Sequence, residues 1–276
     1  MNFRYVNSIG ESIDLSTFPY ALQSDSILDY SWNYESSDIG NNRAKITRFY
    51  KEVTEIPVQI AIYARNNEEY IELLNNFFVI VEKDVVTNTA GKLFCDDAYL
   101  TCYIRASSKA QWKNGIRFCT NDITLVTEYP FWVTETVKMF RASGISGTKM
   151  YEYNYPYTYG GIGKQNITLI NPHYANTDFK IILYGSAANP SISIGGHVYQ
   201  VNTTIAEGEL LEIDSIKGTI YKVTQKGQRI NQFNERRKDS DIFEKIPPGT
   251  SFISWNGDFD FDITLYEERS EPRWSL

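Results

Sequence analysis

The strongest constraint on the fold is a strict alternation of apolar and polar residues near the end of the chain. The apolar positions are Phe259, Phe261, Ile263 and Leu265, and the polar positions between them are Asp258, Asp260, Asp262 and Thr264. Successive side chains of a strand point to opposite faces, so one face of this segment is buried and the other is hydrated. The prolines and glycine of Ile246–Trp255 mark a turn before it. This region therefore predicts an antiparallel β-sandwich.

Further strand patterns precede this segment and are separated by turn residues. They lie at 166–170, 179–184, 191–195, 197–201, 209–214 and 219–224. Short strands that recur about every ten residues are typical of sandwiches. The chain also contains 20 Tyr, 15 Phe and 5 Trp, and aromatic residues favour strands over helices. We therefore expect a mainly β protein.

One segment departs from the strand pattern and predicts a helix at about 67–82. Its apolar residues follow a helical spacing, and they are Tyr70, Leu74, Phe77, Phe78 and Val81. Asn66 is suited to be the N-cap, with Glu69 three residues later as its capping-box partner. We expect the apolar face of this helix to lie across a sheet.

The first half of the chain otherwise predicts strands and turns. A hairpin joins 3–6 to 13–15, longer strands cover 27–34 and 44–64, and the polar segment 35–42 between them is predicted to be a loop or a hairpin tip. Further strands are predicted at 92–94, 99–105, 116–119, 123–127 and 137–141. The proline and aromatics of Glu128–Trp132 suit a packed junction. We therefore place the domain boundary there, giving domains at 1–130 and 131–276.

Charge and hydropathy exclude several classes of function. A net charge of −7 argues against sequence-specific nucleic-acid binding, which needs clustered lysines and arginines. The longest apolar runs, Ile60–Ala64 and Phe77–Val81, are far shorter than a membrane span. Met1–Tyr5 is not followed by an apolar segment, so we expect no secretory signal and no membrane insertion.

The residue types that carry catalysis do not form a motif. Cys95, Cys102 and Cys119 have no Cys-x-x-Cys spacing and are expected to be free thiols. His173 and His197 lie far from them in sequence, so a zinc site is not expected. The spacing of Asp258, Asp260 and Asp262 resembles a calcium loop, but Ile263 stands where that loop needs glycine and Arg269 where it needs glutamate. The sequence predicts no catalytic, cofactor or metal site.

The clearest candidate for an interaction site is a ladder of tyrosines at alternate positions. Its members are Tyr151, Tyr153, Tyr155, Tyr157 and Tyr159. In an extended chain all five rings share one face, and Pro156 confines such a segment to an edge or a protruding arm. Residues 144–163 can therefore be an edge strand, or an arm that binds either a sugar or another subunit.

Several segments, in this order, resemble the distal tail proteins of long-tailed bacteriophages that infect Gram-positive hosts. In the first half these are Gly91–Ser108 (GKLFCDDAYLTCYIRASS) and Asp122–Val133 (DITLVTEYPFWV). In the second half they are Asn189–Gly196 (NPSISIGG), Gly208–Asp214 (GELLEID), Ile246–Trp255 (IPPGTSFISW) and Arg269–Trp274 (RSEPRW). The resemblance loosely covers nearly the whole chain, and residues 144–163 have no counterpart from which a role is inherited.

The resemblance implies an N-terminal β-barrel-like domain with one helix and a C-terminal sandwich similar to galectins and carbohydrate-binding modules. The last residues are expected to pack on the N-terminal domain. It also implies a homohexameric ring in the virion, assembled in the host cytoplasm, that joins the tail tube to the tail tip. The implied partners are the tail tube protein, the tail-associated hub protein, the tape measure protein and receptor-binding proteins. No catalytic residue is implied.

Two other functions stay open on the sequence. A carbohydrate-binding module would recognise host cell-wall polysaccharide through the tyrosine ladder or the sandwich face. A glycan-cleaving enzyme would need two convergent carboxylates about 5–10 Å apart, and the sequence nominates no such pair.

Overall fold

The computed structural model describes residues 1–23, 26–142 and 167–274, which divide into two compact units. The first unit comprises Met1–Thr134 and Glu268–Leu276, and the second comprises Glu135–Glu267. Residues from Glu268 onward thus group with the first unit. The described residues are mainly strands with one α-helix, as the sequence predicts.

The first unit is a curved antiparallel sheet covered by the helix. Its elements are β1 (Phe3–Val6), β2 (Ser12–Asp14), β3 (Tyr20–Leu22), β4 (Asn33–Gly40), β5 (Arg43–Tyr50), β6 (Thr54–Tyr63), α1 (Asn67–Thr87), β7 (Gly91–Cys95), β8 (Ala98–Ser108), β9 (Phe118–Thr127) and the start of β10 (Trp132–Phe140). The order is β2-β1-β7-β8, and the second half of β8 continues to β9, β6 and β3. The N–H of Leu22 donates to the carbonyl of Leu15 at 2.8 Å, which brings the two ends of the sheet together as in a barrel.

Helix α1 begins where its cap was predicted but ends later. Asn66 is the N-cap, and its side chain accepts the N–H of Glu69 at 2.8 Å. The carboxylate of Glu69 accepts the N–H of Arg65, so the reciprocal bond reaches one residue before the cap. The predicted end at 82 is wrong, because the helix continues to Thr87 and stops at Asn88, whose φ of 50° is left-handed. The stripe facing the core includes Tyr70 and Phe77.

In the first unit one strand prediction is wrong, and one hairpin prediction is correct only at its tip. Ser26–Leu28 forms a 3₁₀ turn instead of part of a strand over 27–34, because Ile27 alone is buried in the core. The segment 35–42, predicted to be a loop or a hairpin tip, belongs to a hairpin, but most of it is strand. It belongs to β4 up to Gly40, and only Asn41 and Asn42 form the tip, with φ of 54° and 55°. Its polar residues lie in a strand that buries neither face.

The second unit is a sandwich of two antiparallel sheets. Its strands are the rest of β10, β11 (Thr168–Asn171), β12 (Asp178–Tyr184), β13 (Ala187–Ala188), β14 (Ser191–Ile194), β15 (His197–Gln200), β16 (Thr204–Ile205), β17 (Leu210–Asp214), β18 (Thr219–Val223), β19 (Arg229–Asn231), β20 (Gly249–Ser254) and β21 (Phe261–Arg269). One sheet has the order β19-β18-β17-β12-β21-β10, and the other has the order β11-β20-β14-β15.

The alternation that predicted the sandwich forms its centre. Phe259, Phe261, Ile263 and Leu265 are all buried, and the last three lie on β21, which pairs with β12. From the facing sheet, Leu169, Ile192 and Ile253 join the same core. The strand begins at Phe261, since Asp258–Asp260 lie in a bend before it.

Candidate interaction surfaces

The three cysteines lie in the buried interior of the first unit. Cys95, Cys102 and Cys119 are buried and free. Burial raises the pKa of the Cys102 thiol to about 12 and that of the Cys95 thiol to about 11. Because the thiolate is the reactive form, these two thiols are poor nucleophiles near neutral pH.

The two histidines are each held by local backbone. The buried His173 follows β11, and its Nδ1 accepts the N–H of Ala175 at 3.2 Å. His197 opens β15, with its Nε2 at 2.6 Å from the carbonyl of Asp241 and 3.3 Å from the Ser240 hydroxyl. These contacts orient loops at strand ends. The Ser240 hydroxyl beside His197 donates a hydrogen bond to the carbonyl of Val198 at 2.7 Å.

The aspartates before and within β21 are held by an arginine and by hydrogen-bond donors. Arg141 lies 3.0 Å from Asp262 and 3.8 Å from Asp260. Tyr184 donates its hydroxyl to Asp262 at 2.8 Å, and the N–H of Ala142 donates to Asp260 at 2.6 Å. Across the described ranges, no three His, Cys, Asp or Glu residues are placed to hold a metal ion.

The most unusual surface of the first unit is the two-stranded ribbon formed by β4 and β5, which we call the ribbon (Asn33–Tyr50). Within the described part of the chain, these strands pair only with each other. Every residue of the two strands is exposed except Tyr50, which is half-buried. An isolated two-stranded hairpin is at best marginally stable in water. The ribbon is therefore an arm of the first unit that buries neither face in the protomer.

Large apolar side chains lie on the ribbon without cover. Tyr34 and Phe49 face each other across the strands, with ring centroids 6.4 Å apart. Ile39 near the tip is 61% exposed, and Ile46 is 47% exposed. The ribbon thus exposes four large apolar side chains among its eighteen residues.

A lysine surrounded by aromatic rings holds both ends of the ribbon. Trp32 precedes β4 and Lys51 follows β5, and both contact Phe131. The Lys51 ammonium lies 4.4 Å from the ring centroid of Phe131 and 5.1 Å from that of Trp32, and it donates to the carbonyl of Pro130 at 2.8 Å. Burial lowers the pKa of Lys51. This cluster fixes the direction in which the ribbon leaves the first unit.

The second unit has an exposed apolar patch on the outer face of the sheet that contains β11 and β20. Phe252 is 64% exposed, and its register partner on β11 is Thr168. Ile170, also exposed, lies opposite Thr250, and Ser254 lies opposite Ser193 of β14. The patch therefore combines one aromatic ring with neighbouring hydroxyl groups.

Sequence reasoning missed strand β4 of the ribbon and the lysine at its base. The predicted site, Tyr151, Tyr153, Tyr155, Tyr157 and Tyr159, lies outside the described residues. The segment Pro130–Trp132, interpreted as a domain junction, contributes the ring and carbonyl that bind Lys51. The strand predicted over 44–64 includes nearly all of β5, but the polar residues of 35–42 concealed its partner strand.

The sequence matches no family model and no curated protein. Its fold matches the Dit protein (gp 19.1) of phage SPP1, a hub of the adsorption apparatus in phages that infect Gram-positive bacteria. That match has a TM-score of 0.62 at 12% identity and covers 97% of this chain and 99% of that chain. It also matches chains of the phage P2 baseplate in its activated conformation. The structure with calcium gives a TM-score of 0.64 at 12% identity, covering 98% and 99% of the two chains. The structure with strontium gives a TM-score of 0.60 at 13% identity, and the match covers 95% of this chain and 97% of that chain.

The resemblance predicted from the sequence is thus confirmed at the level of the fold. Because the matches extend over nearly the whole length of both chains, the likeness includes both units and their order along the chain. No helix within residues 1–23, 26–142 and 167–274 has the length and hydropathy of a transmembrane segment.

Proposed function

We propose that this protein is a structural subunit of a phage tail tip, a distal tail protein that forms a hexameric ring between the tail tube and the baseplate. The observation that carries the proposal is the ribbon, an arm exposed on both faces and fixed at its base by Lys51. Cyclic rings use heterologous interfaces, in which one surface of a subunit binds a different surface of the next. A projecting arm suits such an interface, and the shared fold with SPP1 Dit supports this role.

The proposed partners follow from this position in the particle. The ring would bind the tail tube protein on one side and the tail-associated hub protein on the other, with the tape measure protein and receptor-binding proteins as further contacts. The protein would be assembled in the host cytoplasm and reside in the virion. Its net charge of −7 suits a channel that passes DNA without binding it tightly.

A structural role without catalysis agrees with the chemistry of the described side chains. Cys95 and Cys102 have raised pKa values, and Asp260 and Asp262 are held by Arg141. Each candidate reactive group is thus engaged in packing or in local hydrogen bonds. These engagements support the proposal that the protein binds other chains and does not turn over a substrate.

Replacing residues 34–49 by a two-residue Asn-Gly turn should abolish the ring. Light scattering after size-exclusion chromatography should give six chains per particle for the wild type and one chain for the variant. The variant should keep its thermal midpoint, because the ribbon contributes no residue to either buried core. A ring formed without the ribbon, or a wild type that stays monomeric with its tail partners, would contradict the proposal.

A second candidate function, binding of host cell-wall polysaccharide, is favoured by the patch around Phe252. An exposed aromatic ring can stack on the apolar face of a sugar, while nearby hydroxyls such as Thr168 and Ser254 bind its oxygens. This function would coexist with the ring, since the patch lies in the second unit and the ribbon in the first.

Phe252→Ala should weaken binding of cell-wall polysaccharide by about tenfold, the loss of roughly one stacking contact. Calorimetric titration measures the dissociation constant, and Phe252→Tyr should retain binding because its ring still stacks. If the wild type gives no heat of binding, or if the wild type and Phe252→Ala bind with equal affinity, the patch around Phe252 does not bind the polysaccharide.

A further inference from the structure

One edge of strand β8 is open in the protomer. β7 pairs with β8 only as far as Cys102, which lies opposite Gly91. β10 pairs with the first half of β8 on the side opposite β7. β9 directly precedes β10 in the chain, and it pairs on that same side with the second half of β8, Tyr103–Ser108. We call the β7-side edge of Tyr103–Ser108 the open edge, because no described strand pairs with it. Unpaired strand edges are templates for the addition of a further strand.

The open edge forms one wall of a groove, and the last turns of α1 form the other. This α1–β8 groove has a volume of about 710 Å³. Val85 and Val86 line it from the helix, and Val86 is 84% exposed although it is apolar. A groove with free backbone groups on one side and apolar side chains on the other is the arrangement that binds an extended strand.

The groove carries more positive than negative charge. Arg105 and Lys109 line it, and Glu82 is the one acidic residue among its lining residues in the described chain. Arg105 forms an exposed ion pair with Glu55 at 2.8 Å, and the Lys109 ammonium lies 4.4 Å from the ring centroid of Phe78. Exposed pairs of this kind contribute little to stability, so both cations can exchange partners at small cost.

We propose that the α1–β8 groove binds strand β4 of the ribbon from a second copy of this chain. β4 carries Glu35 and Asp38, whereas β5 carries the three cations Arg43, Lys45 and Arg48. Glu35 forms an exposed ion pair with Arg48 at 2.7 Å, which like that of Arg105 contributes little to stability and can exchange partners at small cost. The acidic strand therefore matches Arg105 and Lys109, and the basic strand is repelled by them. This choice of strand sets the direction in which the ribbon enters the groove.

Size and composition agree with this pairing. β4 has eight residues and a free outer edge, which is enough to pair along Tyr103–Ser108. Tyr34 and Ile39 are exposed on opposite faces of β4, and the one that faces α1 would cover its valines. Since the ribbon of one copy fills the groove of the next, the contact is heterologous and repeats around a ring. The inference rests on the proposed ring and names the surface that completes it.

The first test compares two identical substitutions on the same helix. Val86→Glu places a carboxylate in the groove, and Val79→Glu places it at a position that is also exposed, 57%, but outside the groove. Val86→Glu should raise the protein concentration needed for half-assembly by about tenfold or more, while Val79→Glu should leave it unchanged. Thermal midpoints of the two variants should agree, which separates loss of assembly from loss of folding.

The second test exchanges the charges across the proposed contact. The double variant R105E/K109E should lose the ring. Adding E35K, D38K and R48E to it should restore assembly, since the signs again match across the contact and the ion pair within the ribbon is kept with its signs exchanged. A ring that forms normally in Val86→Glu and in R105E/K109E would overturn the groove while leaving the proposed ring intact. A wild type that never assembles would instead overturn both.

Discussion

Phe261→Ala should lower the free energy of unfolding of the second unit by about 3–5 kcal/mol, the range for a buried aromatic ring replaced by a methyl group. Phe261 is fully buried and stacks on Phe140 with ring centroids 4.7 Å apart. Trp255 packs edge-on against it at 5.0 Å. These neighbours belong to other parts of the sandwich, so they cannot collapse together into the space that the ring leaves.

Denaturation followed by tryptophan fluorescence measures this loss, because Trp255 is the one tryptophan of the second unit. The matched control is Phe252→Ala, the same change at a residue that is 64% exposed in the same unit. Its cost should stay within about 0.5 kcal/mol, as for most surface substitutions. Equal costs for the two variants would mean that the ring cluster around Phe261 is not the centre of the core.

The sandwich could be predicted from the sequence because its strands bury one face each. Phe261, Ile263 and Leu265 are buried where the alternation placed them, and β12 and β17 lie within a residue of their predicted ranges. Burial of one face imposes a period of two on the sequence, and that period is visible without any structure.

Strand β4 of the ribbon could not be predicted, because it lacks the buried face that imposes an alternating pattern. β4 buries neither face in the protomer, so nothing in its own fold selects apolar residues at alternate positions. Its sequence, with Ser36, Ser37 and Asp38, has the composition of a loop. If the ribbon binds a second copy, the choice of its apolar residues is determined by the contacts of the assembly, and the sequence pattern of one chain does not reveal those contacts.

The lysine cluster was hidden by a different cause. Lys51, Trp32 and Phe131 are brought together only by the folded chain, because Phe131 lies far from the other two in sequence. The late end of α1 has a similar origin. Glu82, Lys83 and Asp84 look like the polar end of a helix, yet Asp84 is fully buried by contacts with the start of the chain. Tertiary contacts of this kind override local propensity.

Asp84→Ala should destabilise the first unit by about 3 kcal/mol, since it leaves the buried Tyr5 hydroxyl and the partly buried Ser8 N–H without their acceptor. The carboxylate of Asp84 accepts the hydroxyl of Tyr5 at 2.5 Å and the N–H of Ser8 at 2.8 Å. Burial, and then the bond to Asp84, raise the pKa of Tyr5, so its hydroxyl stays protonated and donates throughout the physiological range. Asp84→Asn should cost less, because an amide can still accept from Ser8 and donate to Tyr5.

The measurement is chemical denaturation of the first unit, with Glu72→Ala on the exposed side of α1 as the control that changes a carboxylate to alanine at little cost. Tyr5→Phe completes a double-mutant cycle with Asp84→Ala. Because the two groups share one bond, the combined variant should lose less stability than the two single losses added together. Additive losses, or an Asp84→Ala variant as stable as Glu72→Ala, would show that the Tyr5–Asp84 bond does not join α1 to β1. In that case the position of the last turns of α1, and with it the wall of the α1–β8 groove, would have to be maintained by the apolar packing of the helix and by its other contacts with the start of the chain, such as the bond from the Asn7 side chain to the carbonyl of Ile80.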